Sequence, residues 1–227
     1  MNKKGILLTV FVTAAALLFS AMAEQLYRRV ETVAVPAPVV LIDAGHGGFD
    51  GGAVASDGTV EKDINLAMAT ELSVVLRLWG YRVEMTRDSD AALCEDESLT
   101  IREKKRADMA KRLELYDRAS AVISIHQNHF PDASCRGTQV LYAPNGAESR
   151  ALGEHVRSSI LARMQPDNNR ELKASTREVM LLYRTTAPAV LVECGFLSNP
   201  AELTAMKTTK YRRQMALAIV DGLLKFV

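Results

Sequence analysis

The chain has 227 residues, of which 48% are hydrophobic and 24% are charged, and its formal net charge at pH 7 is +1. This length allows one domain with a hydrophobic core of ordinary size. Because nucleic-acid binders usually carry a strong excess of basic residues, the balanced charge gives no support for nucleic acid as a partner.

Residues 1–23 have the composition of an export segment. Two lysines precede the apolar run GILLTVFVTAAALLFS, and the small residues of AMA at 21–23 suit a signal peptidase. A cleaved secretory signal is the first interpretation, but the apolar stretch 5–23 is also long enough to remain as a membrane tether. In either case we expect 24–38 to be a linker. The domain at 39–227 is expected to be exported and to act outside the cell.

Apolar periodicity predicts alternating strands and helices along the rest of the chain. Short apolar runs predict strands, and apolar repeats every three or four residues predict helices. The predicted elements are a strand at Val39–Ile42, a helix at Glu61–Trp79, a strand at 81–86, a helix at 98–118, strands at 121–126 and 138–143, a helix at 148–164, strands at 178–183 and 189–194, and a helix at 208–226. This order predicts a single α/β domain in which helices cover both faces of a mostly parallel or mixed central sheet.

Two compositional features are interpreted as structural. The charged run REKKRADMAKR at 102–112 lies in a predicted helix, and its spacing favours a solvent-exposed helix face. Cys94, Cys135 and Cys194 show no spacing typical of metal ligands. A disulfide between Cys94 and Cys135 stays open because both lie in predicted loops, whereas Cys194 is expected to be a small buried side chain.

Polar side chains occur where three predicted strands end. His46 follows the first strand, His126 ends AVISIH, Glu193 lies late in AVLVECG, and Glu61 begins the helix after the first strand. Ligands of α/β sheets gather beyond the strand ends, so these side chains are expected to lie close together. Two imidazoles and a carboxylate are a recognised zinc ligand set, and a further carboxylate could take a proton from water.

Each of these residues also has a structural explanation. His46 could be a polar loop residue, Glu61 could complement the dipole of its helix, and His126 could be a hydrogen-bonded core histidine. Glu193 is harder to explain in this way, because an unpaired carboxylate in an apolar strand is costly. Spacing alone leaves both interpretations open.

The surrounding motifs are more specific. The words DAGHGGFDGGA, EKDINL, SIHQN and VECGFLSNP, in this order, resemble the zinc-dependent N-acetylmuramoyl-L-alanine amidases of the Amidase_3 family. The resemblance extends from about Val39 to the C-terminus. It implies that His46, Glu61 and His126 bind one zinc ion and that Glu193 is catalytic. It also implies hydrolysis of the amide between N-acetylmuramic acid and L-alanine, with glycan strands and stem peptides of peptidoglycan as the substrate. The expected location is therefore the wall, or the membrane facing it.

Four further residues receive less specific interpretations. Asn128 and Asp50 are candidates to support the site, with ordinary loop hydrogen bonding favoured for Asp50. His129 departs from the family pattern, in which a small residue commonly follows SIHxN, and we expect it to contact solvent or substrate rather than metal. Arg87, in TRDSD, is interpreted as structural.

The organisation of the chain suggests a biological context. A bare catalytic domain after an export segment is similar to the sporulation amidases of the CwlD type, which act in the formation of spore-cortex muramic-δ-lactam, although short single-domain autolysins share the same parts. An activating protein partner is compatible with this organisation. Two other functions stay open: a non-catalytic wall-binding or regulatory relative, and another zinc peptidase acting on cell-wall peptides.

Overall fold

The computed structural model describes residues 12–22, 24–25, 38–94 and 96–226. The chain consists of two units, residues 1–37 and Pro38–Val227. In the first unit the described residues are helical and solvent-exposed, and this helix is α1. Much of the predicted export segment and most of the predicted linker lie outside the described residues. None of the helices among the described residues has the length and apolar composition needed to span a membrane.

The second unit contains the remaining helices and all the strands of the described chain. In chain order they are β1 (Val39–Ala44), α2 (Glu61–Leu78), β2 (Arg82–Met85), α3 (Ile101–Tyr116), β3 (Ala121–Asn128), β4 (Gln139–Tyr142), α4 (Ala147–Arg163), β5 (Lys173–Ala174), α5 (Met180–Arg184), β6 (Ala189–Phe196), α6 (Pro200–Met206) and α7 (Thr209–Leu224).

The strands form one sheet in the order β2-β1-β3-β6-β4-β5. The neighbours β2, β1, β3 and β6 run parallel, β4 is antiparallel to β6, and β5 is parallel to β4. The prediction of a single α/β domain with a mostly parallel or mixed sheet is confirmed. Because β1, β3 and β6 are parallel neighbours, their carboxyl ends meet at one edge of the sheet, where ligands gather in folds of this kind.

Alternation of side chains along the strands divides the core into two layers. On one face, Ile42, Ile123 and Val192 pack with residues of α2, α4 and α7. On the other face, Leu41 and Leu191 pack with residues of α3 and α5. Helices therefore cover both faces, as predicted.

The predicted strand at 178–183 is wrong, because most of these residues belong to α5. Leu181 and Leu182 are both buried in the layer that contains α3. Consecutive residues of a strand point to opposite faces, whereas one helical turn can bury both on the same side. The short strand β5 and helix α6 were not predicted from the sequence. The latter begins after Asn199, whose side chain accepts hydrogen bonds from two backbone N–H groups of the first turn.

The charged run at 102–112 lies on α3, but the prediction of a solvent-exposed face is wrong for two of its residues. Arg102 and Lys105 face solvent, whereas Asp108 and Arg112 are buried. Nε of Arg112 lies 2.7 Å from Oδ2 of Asp108. Burial of these charges is possible because each has an oppositely charged partner.

The cysteines take no part in cross-links. All three have free thiols, so the disulfide between Cys94 and Cys135 that the sequence left open does not form. Cys194 is fully buried in the layer with α2, α4 and α7, as predicted. Burial raises the pKa of its thiol and keeps it protonated.

Candidate metal centre

The loop after β1 holds His46 in an unusual backbone conformation. Its φ angle of 62° lies in the left-handed region, which residues other than glycine seldom adopt. Two backbone hydrogen bonds between Gly47 and Asp50, of 2.9 and 3.1 Å, close the turn that follows. From α3, Nη2 of Arg112 donates to the carbonyl oxygen of His46 at 2.7 Å. The loop is thus fixed by its own turn and by a neighbouring helix.

Glu61 is the first residue of α2 and is almost fully buried. Its Oε1 accepts hydrogen bonds from the backbone N–H of Gln127 at 3.1 Å and from the side-chain amide of Asn65 at 3.2 Å. Its Oε2 accepts one from the backbone N–H of Ala53 at 2.9 Å. These donors fix the position of the carboxylate and stabilise its charge, so its role extends beyond complementing the helix dipole.

His46, Glu61 and His126 converge at the carboxyl ends of β1 and β3. Nε2 of His46 lies 3.2 Å from Oε2 of Glu61, and Nδ1 of His126 lies 3.0 Å from Oε1 of Glu61. One potential ligand atom from each residue lies within 4.8 Å of the other two. The structure therefore brings together the three residues that the sequence analysis named as metal ligands.

Two glycines make room for this cluster. A Cβ atom at Gly45 would lie 2.3 Å from the ring of His126, and one at Gly52 would lie 2.5 Å from Oε2 of Glu61. Gly52 also has a φ angle of 70°, which disfavours any side chain. A side chain at either position would displace a potential ligand.

The electrostatics of the cluster favour a bound positive charge. Burial disfavours the imidazolium form of His46, but Asp50 and Glu61 outweigh it and raise the pKa of His46 to about 9. Burial also opposes ionisation of Glu61, but hydrogen bonds with His126 and His46 hold its pKa well below the usual range. Either a proton or a metal ion can supply the positive charge that these carboxylates favour, and the two compete for the same nitrogen atoms.

The donor set fits a zinc ion. Zn²⁺ takes imidazole nitrogen and carboxylate oxygen at about 2.0–2.2 Å in a tetrahedral arrangement, which places neighbouring ligand atoms roughly 3.5 Å apart. The observed nitrogen-to-oxygen distances of 3.2 and 3.0 Å lie close to this spacing. Three protein ligands leave one position for water or substrate, which is the pattern of a catalytic rather than a structural zinc site.

Asp50 contacts the other nitrogen of the His46 ring. Its Oδ2 lies 3.0 Å from Nδ1 of His46 and 3.1 Å from Nζ of Lys105. A carboxylate in this position fixes the tautomer in which Nε2 is free to bind a metal. The same side chain accepts a hydrogen bond from the backbone N–H of Gly52 at 3.3 Å. Loop hydrogen bonding and orientation of the imidazole are therefore both present at Asp50.

Glu193 lies beside the cluster on β6, in register with His126 of β3. Its Oε2 is buried and has no hydrogen-bond partner in the described part of the chain. Burial raises the pKa of Glu193 to about 7, with His126 lowering it and Glu61 raising it further. A carboxyl group that titrates near neutrality can accept and release a proton, as the interpretation of Glu193 requires. Cys194, its neighbour, points into the opposite core layer, as strand alternation predicts.

The two weaker candidates that follow His126 have different surroundings. Asn128 ends β3, its carbonyl oxygen accepts a hydrogen bond from the N–H of Leu197 at 2.8 Å, and the residue lines a groove next to Glu193. His129 is exposed in the following loop. The metal-ligand group found among the described residues does not include His129.

Arg87 has the structural role that the sequence suggested, although its partners are not the local carboxylates that a strand-end arginine usually contacts. Its buried guanidinium donates to backbone carbonyl oxygens, including those of Ala44 and Gly45 at 3.0 Å each. It therefore supports the loop that carries His46 through main-chain contacts rather than through a carboxylate.

A buried polar network lies beneath the site and was not predicted from the sequence. Asp43 accepts hydrogen bonds from Arg112, Thr86, Tyr116 and Ser124. Burial opposes ionisation of Asp43, but the Arg112 guanidinium and the Tyr116 hydroxyl hold its pKa well below the usual range. An acid in the apolar strand VLIDA was a signal that buried partners must exist. The sequence did not indicate which residues they are.

A cleft of about 380 Å³ opens onto the centre between α3 and α5. His46, His126 and Glu193 line its polar part, and Met109 and Met180 are among its apolar lining residues. We name it the apolar cleft.

Comparisons with known proteins agree on one family. Residues 40–225 match the family Amidase_3, N-acetylmuramoyl-L-alanine amidase. The germination-specific N-acetylmuramoyl-L-alanine amidase of Bacillus subtilis is 32% identical over 190 residues, covering 83% of this chain and 79% of the relative. The CwlD amidase of Clostridioides difficile, solved in complex with the GerS lipoprotein, superimposes with a TM-score of 0.80 at 34% identity, covering 83% of this chain and 98% of that one. An N-acetylmuramoyl-L-alanine amidase of Clostridium difficile 630 gives a TM-score of 0.72 at 28% identity, covering 84% of this chain and 96% of that one.

Replacing Glu193 by glutamine is expected to stabilise the protein in a metal chelator at alkaline pH. The folded-state pKa of about 7 lies above the ordinary value of 4.5, so ionisation of Glu193 destabilises the fold as the pH rises from 4.5 to 7. The full effect is roughly 3 kcal/mol. Urea unfolding in EDTA should show a difference of less than about 1 kcal/mol between Glu193→Gln and wild type at pH 5, and a variant that is more stable by roughly 3 kcal/mol at pH 8.

The matched control is Glu178→Gln, which removes an exposed carboxylate at the same cleft. It should leave the wild-type pH dependence unchanged. Equal stabilities of wild type and Glu193→Gln at pH 8 would contradict the description of Glu193 as a buried, unpartnered carboxyl group.

Proposed function

Because the chain belongs to the Amidase_3 family and is an N-acetylmuramoyl-L-alanine amidase, we propose that its hydrolysis of peptidoglycan depends on one zinc ion held by His46, Glu61 and His126. In this proposal Glu193 is the catalytic carboxylate. The bond cleaved joins the lactyl group of N-acetylmuramic acid to L-alanine, and the substrate is a glycan strand with its stem peptide.

One observation carries the proposal: a compact set of zinc-type ligands lies beside a carboxyl group that has no partner of its own. The three potential ligand atoms lie within 4.8 Å of one another, and the neighbouring Oε2 of Glu193 is buried without a hydrogen bond among the described residues. A structural carboxylate would normally be paired. A carboxylate that exchanges protons with water and substrate needs a free oxygen.

The side chains have distinct tasks in this reaction. A bound zinc ion would supply Lewis acidity toward water and the amide carbonyl. Glu193 would accept a proton from the attacking water and deliver it to the nitrogen of the departing L-alanine. Asp50 would hold the His46 ring in the ligating tautomer through its contact with Nδ1. Arg112 would hold the backbone of His46 through its carbonyl oxygen.

The spore cortex is the proposed site of action. Similarity to the germination-specific amidase of B. subtilis and to CwlD of C. difficile supports a role in the formation of muramic-δ-lactam. The C. difficile relative was solved in complex with a lipoprotein, so an activating protein partner is part of the proposal. Action on the wall also requires export, for which residues 1–23 would serve as signal peptide or anchor.

Removal of either histidine ligand is expected to abolish zinc binding. His46→Ala and His126→Ala each leave a two-ligand site, which holds zinc poorly. Mass-spectrometric metal analysis of the purified proteins should show about one zinc per wild-type chain and little in either variant. His129→Ala is the control, because His129 lies outside the ligand cluster and its variant should retain zinc. Full zinc content in both ligand variants would overturn the assignment.

Glu193→Gln should separate catalysis from metal binding. Glutamine cannot accept a proton from water, and loss of a positioned general base typically lowers the rate by about 10²- to 10⁴-fold. The variant should keep its zinc and release almost no stem peptide from muropeptides, as followed by mass spectrometry of products with an L-alanine amino terminus. Near-normal hydrolysis by the zinc-loaded variant would assign the base to another residue, and loss of zinc would make Glu193 a ligand.

If the chain has the proposed spore role, it should be able to replace the germination-specific amidase of B. subtilis. When the chain is produced in a B. subtilis strain that lacks its germination-specific amidase, muramic-δ-lactam should reappear in the cortex. The Glu193→Gln chain is the control and should not restore it. A chain that is produced, exported and active on muropeptides but leaves the cortex without lactam would contradict the spore role and leave the amidase activity intact.

A further inference from the structure

Glu193 lies between two depressions on the same edge of the sheet. One is the apolar cleft between α3 and α5. The other is a groove of about 330 Å³ that extends from Glu193 toward β4 and β5. Its lining includes Phe130, Arg170, Lys173 and Phe196. We name it the cationic groove.

The two depressions differ in how their charges are compensated. In the apolar cleft, Lys105 pairs with Asp50 at 3.1 Å, and Arg112 is paired with two buried aspartates. In the cationic groove, neither Arg170 nor Lys173 forms an ion pair with any described residue. Apart from Glu193, the groove has no acidic lining residue in the described chain. It therefore presents two uncompensated positive charges near the reacting centre.

Arg170 is held in place before any ligand arrives. Its Nε donates to the carbonyl oxygen of Arg136 at 2.8 Å, and its guanidinium lies over the ring of Phe196, 4.5 Å from the centroid. The two terminal nitrogen atoms form no hydrogen bond with the described residues. A guanidinium that is fixed by stacking and has its terminal N–H groups free matches the geometry of a carboxylate.

The substrate also has two unlike halves. The lactyl carboxyl group of N-acetylmuramic acid is consumed in the amide bond, so the glycan half carries no charge near that bond. The stem peptide on the other side carries free carboxylates. From these complementary chemistries we infer that the stem peptide occupies the cationic groove with a carboxylate on Arg170 and Lys173, and that the muramic acid residue faces the apolar cleft. This inference rests on the proposed location of catalysis at Glu193.

Strand spacing indicates how far along the peptide this contact lies. Glu193 of β6 is in register with Gln139 of β4, and Leu141 of β4 is in register with Lys173 of β5. Two strand spacings amount to roughly 10 Å, and the two-residue offset between Gln139 and Leu141 adds about 7 Å along the strand, so the separation is roughly 12 Å. About three to four residues of extended peptide cover this distance. The recognised carboxylate therefore belongs to one of the first few residues of the stem and not to the alanine at the cleaved bond.

The test measures steady-state kinetics on synthetic N-acetylmuramoyl peptides whose stem carboxylates are either free or amidated. Arg170→Gln and Lys173→Gln should each raise KM for the free-acid substrate by about 10-fold, as expected for a charge-assisted hydrogen bond in a partly exposed groove. The value of kcat should change by less than about 3-fold, because the contact exists before and after the reaction. On the amidated substrate, which lacks the charge, neither substitution should alter KM.

The variants and controls separate recognition from folding. Lys173 is exposed, so its substitution should leave zinc content and thermal stability unchanged even if Arg170→Gln disturbs its contacts with Phe196. Arg118→Gln removes an exposed cation at the opposite, amino-terminal end of β3 and should change neither KM nor kcat. Arg170→Lys should recover part of the loss, because it restores the charge without the planar fork.

Two outcomes would overturn the inference: an unchanged KM for the free-acid substrate in both glutamine variants, or an equal rise for the amidated substrate. These outcomes can be distinguished from an error in the proposed catalytic site. If His46→Ala and Glu193→Gln still hydrolyse the substrate, catalysis occurs elsewhere. If they are inactive and the groove variants behave like wild type, only the placement of the stem peptide is wrong.

Discussion

The ion pair between Arg112 and Asp43 supports the geometry of the whole candidate metal centre. It joins α3 to the end of β1, and the same guanidinium donates to the carbonyl oxygen of His46 at 2.7 Å. Both side chains are only 1% exposed. The free energy needed to desolvate such a buried pair is about as large as the Coulombic attraction between its charges, so the pair adds little to the net stability of the fold. Its consequence is positional: a directed hydrogen bond fixes the left-handed backbone at His46, which nondirectional apolar packing would leave less defined.

Around this support, the centre concentrates groups that a stable fold would avoid. Glu193 is a buried carboxyl group whose pKa is raised to about 7, and His46 is a partly buried imidazole whose pKa is raised to about 9. Perturbed titration of this kind clusters at functional sites. The two apolar layers on either side of β1, β3 and β6 offset the unfavourable free energy of burying these groups, and they fix the ends of the strands. Glu61 can then be placed by three hydrogen-bond donors before any ion binds.

The sequence predicted those site residues whose polarity contrasts with the apolar residues next to them in the chain. His126 and Glu193 are polar residues in apolar strands, and their placement at strand ends follows from the alternation of elements along the chain. Arg112 could not be identified in this way. It lies in a run of charged residues on a helix, and nothing in their spacing distinguishes the buried arginine from the exposed ones. Helix α5 was misassigned because five consecutive apolar residues, 179–183, show neither helical nor strand periodicity. The cationic groove depends on a lateral meeting of β6, β4 and β5, which is not encoded in the motifs.

The reversed direction of β4 explains why Glu193 has room on both sides. If β6 were the last strand, the carboxyl edge of the sheet would end at Glu193, and a substrate could extend only toward the proposed ligands after β1 and on α2 and β3. The antiparallel pairing of β4 with β6, followed by β5, carries the sheet past Glu193. An amide must be held on both sides of the cleaved bond to be oriented for attack. In the proposed reaction, the parallel strands supply the reacting groups on one side and the added antiparallel strand supplies a surface for the substrate on the other. Glu193, the proposed catalytic carboxylate, then lies between them.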